Sequence, residues 1–85
     1  MHIQLRFFAG LREALGTSGE RIQVPQHVAT AGDVLDLLRR RGGPWDAALG
    51  PERAYRIAVD QRMGGLASAI HDGAEMAVFP PVTGG

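Results

Sequence analysis

The chain has 85 residues, no cysteine, and nine arginines that balance nine aspartate and glutamate residues at a formal net charge of zero. This length gives a single domain with a modest core. Neutral charge argues against a general nucleic-acid or membrane-surface binder, which needs a basic excess. The lack of cysteine rules out disulfides, thiolate metal sites and a cysteine nucleophile.

No targeting or membrane segment is expected. No apolar run approaches the ~20 residues that a membrane-spanning helix requires. The first residues enter a strand pattern directly, without the charged and apolar regions of a signal peptide. We therefore expect a cytoplasmic protein with no nucleic-acid partner and no membrane partner.

The N-terminal part of the chain predicts two strands on either side of a helical turn. Apolar and polar residues alternate in residues 2–8, which indicates a half-buried strand. Apolar residues at helical spacing predict a short helix at residues 11–15, and the glycine-containing segment 16–19 ends it. Residues 21–24 predict a second strand, which Pro25 stops.

The main helix is predicted to begin at Thr30. Thr30 is a favourable N-cap, and Asp33 at the third helical position completes a variant of the capping box. An apolar stripe at helical spacing follows, formed by Val34, Leu37 and Leu38. The arginines at 39–41 fill the predicted last turn, which residues 42–44 end. We interpret these arginines as a solvated helix end rather than an anion-binding patch.

The second half of the chain predicts a short helix and two further strands. Residues 44–49 favour a short helical segment, and alternation in residues 55–59 indicates a strand. Residues 60–65 are predicted to form a turn region. The last strand is predicted at residues 75–79. Strands on both sides of one main helix indicate an α+β domain.

The sequence lacks the residue patterns of a self-sufficient enzyme. His2, His27 and His71 show no metal-ligand spacing with one another or with carboxylates. Ser18 and Ser68 have no motif context for a nucleophile. No phosphate-binding loop is present. We therefore expect no metal site and no cofactor in this chain, so that partner proteins must drive any chemistry.

The final residues form the most informative motif. Pro80 and Pro81 fix φ near −65° and hold the residue before each of them extended. Gly84 and Gly85 have no Cβ and can pass through a narrow channel. Residues 82–85 can reach about 13 Å beyond the prolines. The motif predicts a tail that presents the Gly85 carboxylate to another protein; a frayed terminus is the alternative.

Two aromatic residues break the alternation of their strands next to this tail. Phe8 falls on the face of the first strand that carries the polar residues. Phe79 falls on the face of the last strand opposite to the one that carries Met76 and Val78. If the two strands are parallel neighbours, their C-terminal ends meet at one edge of the sheet. We then expect an exposed aromatic patch that binds partners. The alternative is that Phe8 packs under the 11–15 turn and Phe79 under a loop.

Three segments together resemble the sulfur-carrying small subunits of molybdopterin synthase, the MoaD-type carriers. They are residues 5–13 (LRFFAGLRE), residues 72–79 (DGAEMAVF) and residues 80–85 (PPVTGG). The resemblance implies a ubiquitin-like β-grasp fold, with a mixed sheet packed on one main helix and a flexible C-terminal Gly-Gly tail. Residues 1–79 would form the β-grasp domain and residues 80–85 the extended reactive tail. Ala74 stands where the family commonly has an acid.

The resemblance also implies a mechanism. An adenylating activating enzyme (MoeB-type) would use ATP to activate Gly85, and a sulfur donor would convert the adenylate into a thiocarboxylate. The large subunit of molybdopterin synthase (MoaE-type) would then receive the tail, and the sulfur would pass to cyclic pyranopterin monophosphate in molybdenum cofactor biosynthesis. Gly84 would be the threading residue. The partner-binding residues implied are Phe8, Phe79, Pro80, Pro81, Val82 and Thr83.

Two alternatives remain open at this point. A related ubiquitin-like carrier could supply sulfur for thiamin, for cysteine or for tRNA thiolation. A ubiquitin-like protein-conjugating module would instead form isopeptide bonds with lysines of target proteins. The chain itself contains no lysine. This absence reflects either compositional bias or a benefit of lacking internal amines that would attack an activated carboxyl group.

Overall fold

The computed structural model describes residues 1–50 and 55–80. Five strands form one mixed sheet in the order β2-β1-β5-β3-β4. β1 and β5 are parallel, and the other neighbouring strands are antiparallel. The elements in chain order are β1 (His2–Phe7), α1 (Ala9–Leu15), β2 (Gly19–Gln23), α2 (Ala31–Arg39), α3 (Pro44–Leu49), β3 (Arg56–Val59), β4 (Arg62–Gly64) and β5 (Glu75–Phe79). The predicted α+β architecture is confirmed.

The core lies between one face of the sheet and the helices. Alternation in β1 places every second side chain on this inner face, because successive strand residues point to opposite sides. Fully buried side chains from the sheet and from α2 meet there, namely Ile3, Leu5, Phe7, Val34, Leu35, Leu38, Ile57, Met76 and Val78. In α2 the buried stripe includes Leu35, whereas Leu37, which was predicted to point inward, is only partly buried. No helix in the described ranges is long and apolar enough to cross a membrane.

The start of α2 is fixed by a complete capping box. The Asp33 backbone N–H donates to Thr30 Oγ1 at 3.2 Å, and Asp33 Oδ2 accepts from the backbone N–H groups of Ala29 at 3.1 Å and Thr30 at 3.2 Å. These backbone N–H donors hold the pKa of the Asp33 carboxyl below its usual value. The predicted helix start is therefore confirmed to the residue.

Two of the three arginines at the end of α2, Arg39 and Arg41, make side-chain contacts, whereas Arg40 is exposed. The helix ends at Arg39, and the Arg39 side chain donates to the carbonyl oxygen of Leu49 and to the Tyr55 hydroxyl. Arg41 pairs with Glu20 and lies 4.5 Å above the Trp45 ring. The prediction of a solvated, dipole-complementing end was wrong for Arg39, since this residue joins α2 to the end of α3.

The segment predicted as a turn at residues 60–65 contains a further strand. Asp60 and Gln61 have φ of 50° and 67°, and β4 follows at once with all its residues exposed. Positive φ at both central residues is the geometry of a tight hairpin turn. The strand was missed because it is short and exposed on both faces, so that its sequence carries no alternation.

A polar cluster lies at the end of the sheet where β5 begins, opposite the end where the chain leaves β5 at residue 80. Asp60 Oδ1 accepts from the Glu75 backbone N–H at 3.0 Å, and Asp60 Oδ2 lies 2.6 Å from His71 Nε2. His71 Nδ1 lies 2.9 Å from the Asp72 carbonyl oxygen. Two acceptors facing both ring nitrogens favour the imidazolium, because only that form carries two N–H donors. The contacts raise the pKa of His71 and lower the pKa of Asp60.

Replacing Thr30 with alanine removes the hydroxyl that accepts from the Asp33 N–H. We expect the free energy of unfolding to fall by about 1 kcal/mol, as for other N-cap losses. Urea denaturation followed by circular dichroism measures the change. Thr30→Ser retains the hydroxyl and is the matched control. Equal unfolding midpoints for the alanine and serine variants would contradict a stabilising role for the cap.

The cluster at His71 makes stability depend on pH. The folded-state pKa of His71 is raised above 6.5, so its contribution is fully present below pH 6.5 and is lost as pH rises through the raised value. The melting temperature of wild type should therefore exceed that of His71→Gln most at about pH 6, and the difference should shrink as the solution becomes alkaline. A difference that stays constant across this range would show that His71 is not protonated in the fold.

Candidate functional site

The candidate site surrounds the point where the chain leaves β5. β5 lies between β1 and β3, so this point is at the centre of one edge of the sheet. Pro80 follows the strand directly and is half-buried. The predicted site residues Pro81, Val82, Thr83, Gly84 and Gly85 lie outside the described residues.

Phe8 and Phe79 stack on each other at this edge. The parallel register pairs Phe7 with Val78, which places the next residue of each strand side by side. Their ring centroids are 4.7 Å apart and the ring planes differ by 8°. The two rings therefore meet as the parallel register predicted. Stacked aromatic pairs of this kind contribute about 0.5–1.5 kcal/mol beyond their buried area.

Phe8 stays on the outer face of the sheet, which is the face opposite the helices, because the chain turns sharply after it. Phe8 is extended, and its backbone N–H donates to the Val78 carbonyl oxygen at 3.3 Å, so it continues the pairing of β1. Ala9 then takes a φ of 51°, which turns the backbone into α1. Phe8 remains 38% exposed. The alternative placement of Phe8 under the 11–15 helix is therefore wrong.

The stacked rings continue into an apolar strip on the outer face of the sheet. Ala77 of β5 pairs with Ala58 of β3, which in turn pairs with Met63 of β4. The Met63 side chain is 62% exposed, whereas each alanine is only 5% exposed. We call this set the tail-side surface; it consists of Phe8, Phe79, Ala77, Ala58 and Met63. Met63 could not be placed on this face from the sequence, because β4 was not predicted.

The tail-side surface offers contacts but no reacting groups. No polar or charged side chain is buried among the described residues. Within the same ranges, no three His, Cys, Asp or Glu side chains are grouped so as to hold a metal ion. An exposed apolar patch beside a chain terminus is suited to docking another protein. The arrangement can bind and orient, but activation of a carboxylate needs groups that this surface does not supply.

Comparison with known proteins identifies the family. Residues 5–85 match the model of the ThiS family. The molybdopterin synthase sulfur carrier subunit of Haemophilus influenzae is 39% identical over 83 residues, which cover 98% of this chain and 99% of that protein. Small archaeal modifier protein 3 of Haloferax volcanii is 33% identical, with 100% of both chains covered.

Solved structures share the fold over the whole chain. SAMP1 from Haloferax volcanii has a TM-score of 0.79 and 29% identity, with 100% of both chains covered. A protein–protein complex of subunits 1 and 2 of molybdopterin-converting factor from Helicobacter pylori contains a chain with a TM-score of 0.67, at 21% identity and 100% coverage of both chains. These likenesses show the ubiquitin-like β-grasp fold. The chain therefore belongs to the ThiS family and is a ubiquitin-like sulfur carrier of the MoaD type.

Proposed function

We propose that this protein is the sulfur-carrying small subunit of molybdopterin synthase. The observation that carries the proposal is the 39% identity, over almost the full length of both chains, to a relative with that name. Residues 1–79 would act as the docking domain and residues 80–85 as the reactive tail, in the cytoplasm. The stack of Phe8 on Phe79, next to the start of this tail, supports the proposal.

The first proposed step activates the Gly85 carboxylate. A carboxylate oxygen attacks the α-phosphorus of ATP in the activating enzyme, and pyrophosphate leaves. The product is an acyl adenylate, a mixed anhydride from which AMP departs readily. Sulfur at the oxidation level of sulfide then displaces AMP and leaves a thiocarboxylate on Gly85. This chain would bind neither ATP nor the sulfur donor itself; both would act through partner enzymes.

The second proposed step transfers the sulfur. The large synthase subunit would receive the tail, and the thiocarboxylate sulfur would form a bond to a carbon of cyclic pyranopterin monophosphate. The carbon–oxygen bond that it replaces would break, with the oxygen leaving as water or staying on the phosphate. The carrier returns to a carboxylate once the bond between the Gly85 carbonyl carbon and sulfur has been hydrolysed. Repeated transfer would build the dithiolene of molybdopterin. The name of the Haemophilus influenzae relative, which is that of a synthase subunit, supports a large-subunit partner.

The tail sequence fits passage through a narrow channel. Pro80 and Pro81 stiffen the departure from β5, while Gly84 presents no side chain next to the reacting carboxylate. Val82 and Thr83 would lie inside the partner's channel and contact its walls. The tail-side surface would dock beside the channel entrance and set the direction in which the tail enters.

A second candidate function is protein modification. The 33% identity to a small archaeal modifier protein favours it specifically. In that case the Gly85 acyl group would form an isopeptide bond with a lysine of a target protein. Mass spectrometry of the protein copurified from its own host separates the two functions, because a modifier gives branched peptides on target lysines and a sulfur carrier gives a free thiocarboxylate.

Extending the chain by one alanine after Gly85 should abolish the tail chemistry and leave the fold intact. The reason is that the extension moves the carboxylate away from its proposed position. The variant and wild type are incubated with the activating enzyme, ATP and sulfide, and their intact masses and melting curves are compared. Only wild type should gain the mass of one sulfur in place of one oxygen. Thiocarboxylate on the extended variant would contradict the proposal.

Gly84→Val tests the narrow channel. A branched side chain next to Gly85 should block adenylation sterically, lowering the rate of ATP–pyrophosphate exchange by at least about tenfold, which corresponds to about 1.4 kcal/mol in the barrier. The melting temperature should not change. Gly65→Val lies on an exposed loop with open space around the added Cβ and is the matched control. Exchange at the wild-type rate by Gly84→Val would exclude a channel of glycine width.

Phe8→Ala and Phe79→Ala test the tail-side surface. Each should weaken binding to the large subunit by roughly tenfold or more, since aromatic residues at interface centres often contribute more than 1 kcal/mol. Isothermal titration calorimetry gives the affinities. Leu66→Ala removes a side chain that is also exposed, at 53%, and is the control. A sharp fall in melting temperature with unchanged affinity would show that the two rings serve only the fold.

A further inference from the structure

The outer face of the sheet has a positive character that the neutral net charge conceals. Register places Arg6 beside Ala77, Arg21 beside Gln4, and Arg56 beside Phe79, all of them on the face opposite the helices. All three arginines are exposed. Glu75, paired in register with Gln4, is the acidic residue that the strands place on this face. Among the described strand positions of this face, arginines therefore outnumber acidic residues.

Arg56 is the arginine of this face that lies closest to the tail in the sheet. It occupies the strand position next to Phe79, on the side opposite Phe8. Arg6 is already compensated, because its Nε lies 3.1 Å from Glu75 Oε2. Among the described residues, no carboxylate forms an ion pair with Arg56. The stacked rings are thus bordered by a guanidinium without a partner in the described structure.

Docking through Phe79 has a consequence for this guanidinium. A partner surface that covers Phe79 also takes water away from the residue beside it. Removing water from an unpaired charge is unfavourable, and a carboxylate across the interface offsets that cost. The planar guanidinium can donate two parallel N–H bonds to one carboxylate, which gives such a pair directional selectivity.

We propose that Arg56 is a specificity-determining contact that pairs with a carboxylate on the large synthase subunit, next to the apolar site that accepts Phe79. The inference rests on the proposed function, because it takes the large subunit as the partner. It assigns a chemistry to the facing surface, namely an apolar site bordered by acid. It also assigns a role to a residue on β3, outside both the tail and the aromatic pair.

The test is a charge-reversal series measured against the large subunit encoded in the same genome. Arg56→Gln should raise Kd roughly threefold to tenfold, and Arg56→Glu should raise it further, mainly through slower association. The difference from wild type should shrink between about 0.05 M and 0.5 M salt, because the Debye length falls across this range. Arg40→Glu makes the same change of charge on an exposed residue after α2 and should bind like wild type.

The outcomes separate the inference from the function on which it rests. Melting curves establish that each variant is folded, and Arg56→Gln introduces no repulsion of its own. If wild type forms a thiocarboxylate and binds the large subunit, but both Arg56 variants bind equally well at low salt, the role of Arg56 is overturned and the function stands. If wild type neither forms a thiocarboxylate nor binds, the proposed function fails and the inference fails with it.

Discussion

Parallel pairing joins the first and the last described strands, β1 and β5, at the centre of the sheet. Because parallel strands run the same way, their C-terminal ends lie at one edge. This single pairing brings Phe8 against Phe79 and fixes where Pro80 leaves the domain. It also aligns the buried side chains of both strands against α2. The core on one face of the sheet and the tail-side surface on the other therefore both depend on this pairing. An antiparallel pairing would place Phe8 and Phe79 at opposite ends of the sheet.

The sequence predicts those elements whose residue pattern matches the burial that the fold imposes on them. β1 carries clear alternation, β5 is a short apolar run after a turn, and α2 has both a capping box and an apolar stripe, so each was predicted close to its observed bounds. β4 was not predicted because the strand is held by its pairing with β3 rather than by burial of its own side chains. In α2 the spacing of apolar residues allowed Leu37 to point inward. Packing against the sheet selects Leu35 instead, and that choice depends on how the helix is rotated about its axis.

The candidate site was predictable to the extent that it depends on strand periodicity. Two aromatics out of phase with their strands, together with the parallel neighbours that the β-grasp resemblance implied, were enough to place Phe8 beside Phe79. The roles of the arginines were not predictable, because they depend on contacts distant in sequence. Arg39 reaches Leu49 and Tyr55, which lie 10 and 16 residues away. Arg56 could be placed beside Phe79 only once the order of β5 and β3 in the sheet was known.

The central position of β5 affects the order in which the protein can be completed during synthesis. β5, the strand that joins β1 to β3, is synthesised after all the other described strands. The β2-β1 pair and the β3-β4 pair therefore have no strand between them until the C-terminal region has left the ribosome. A chain that stops short of β5 lacks both its middle strand and the tail. A prematurely terminated chain therefore cannot present the tail, and any enzyme that acts on residues 80–85 meets molecules whose synthesis has passed the central strand of the sheet.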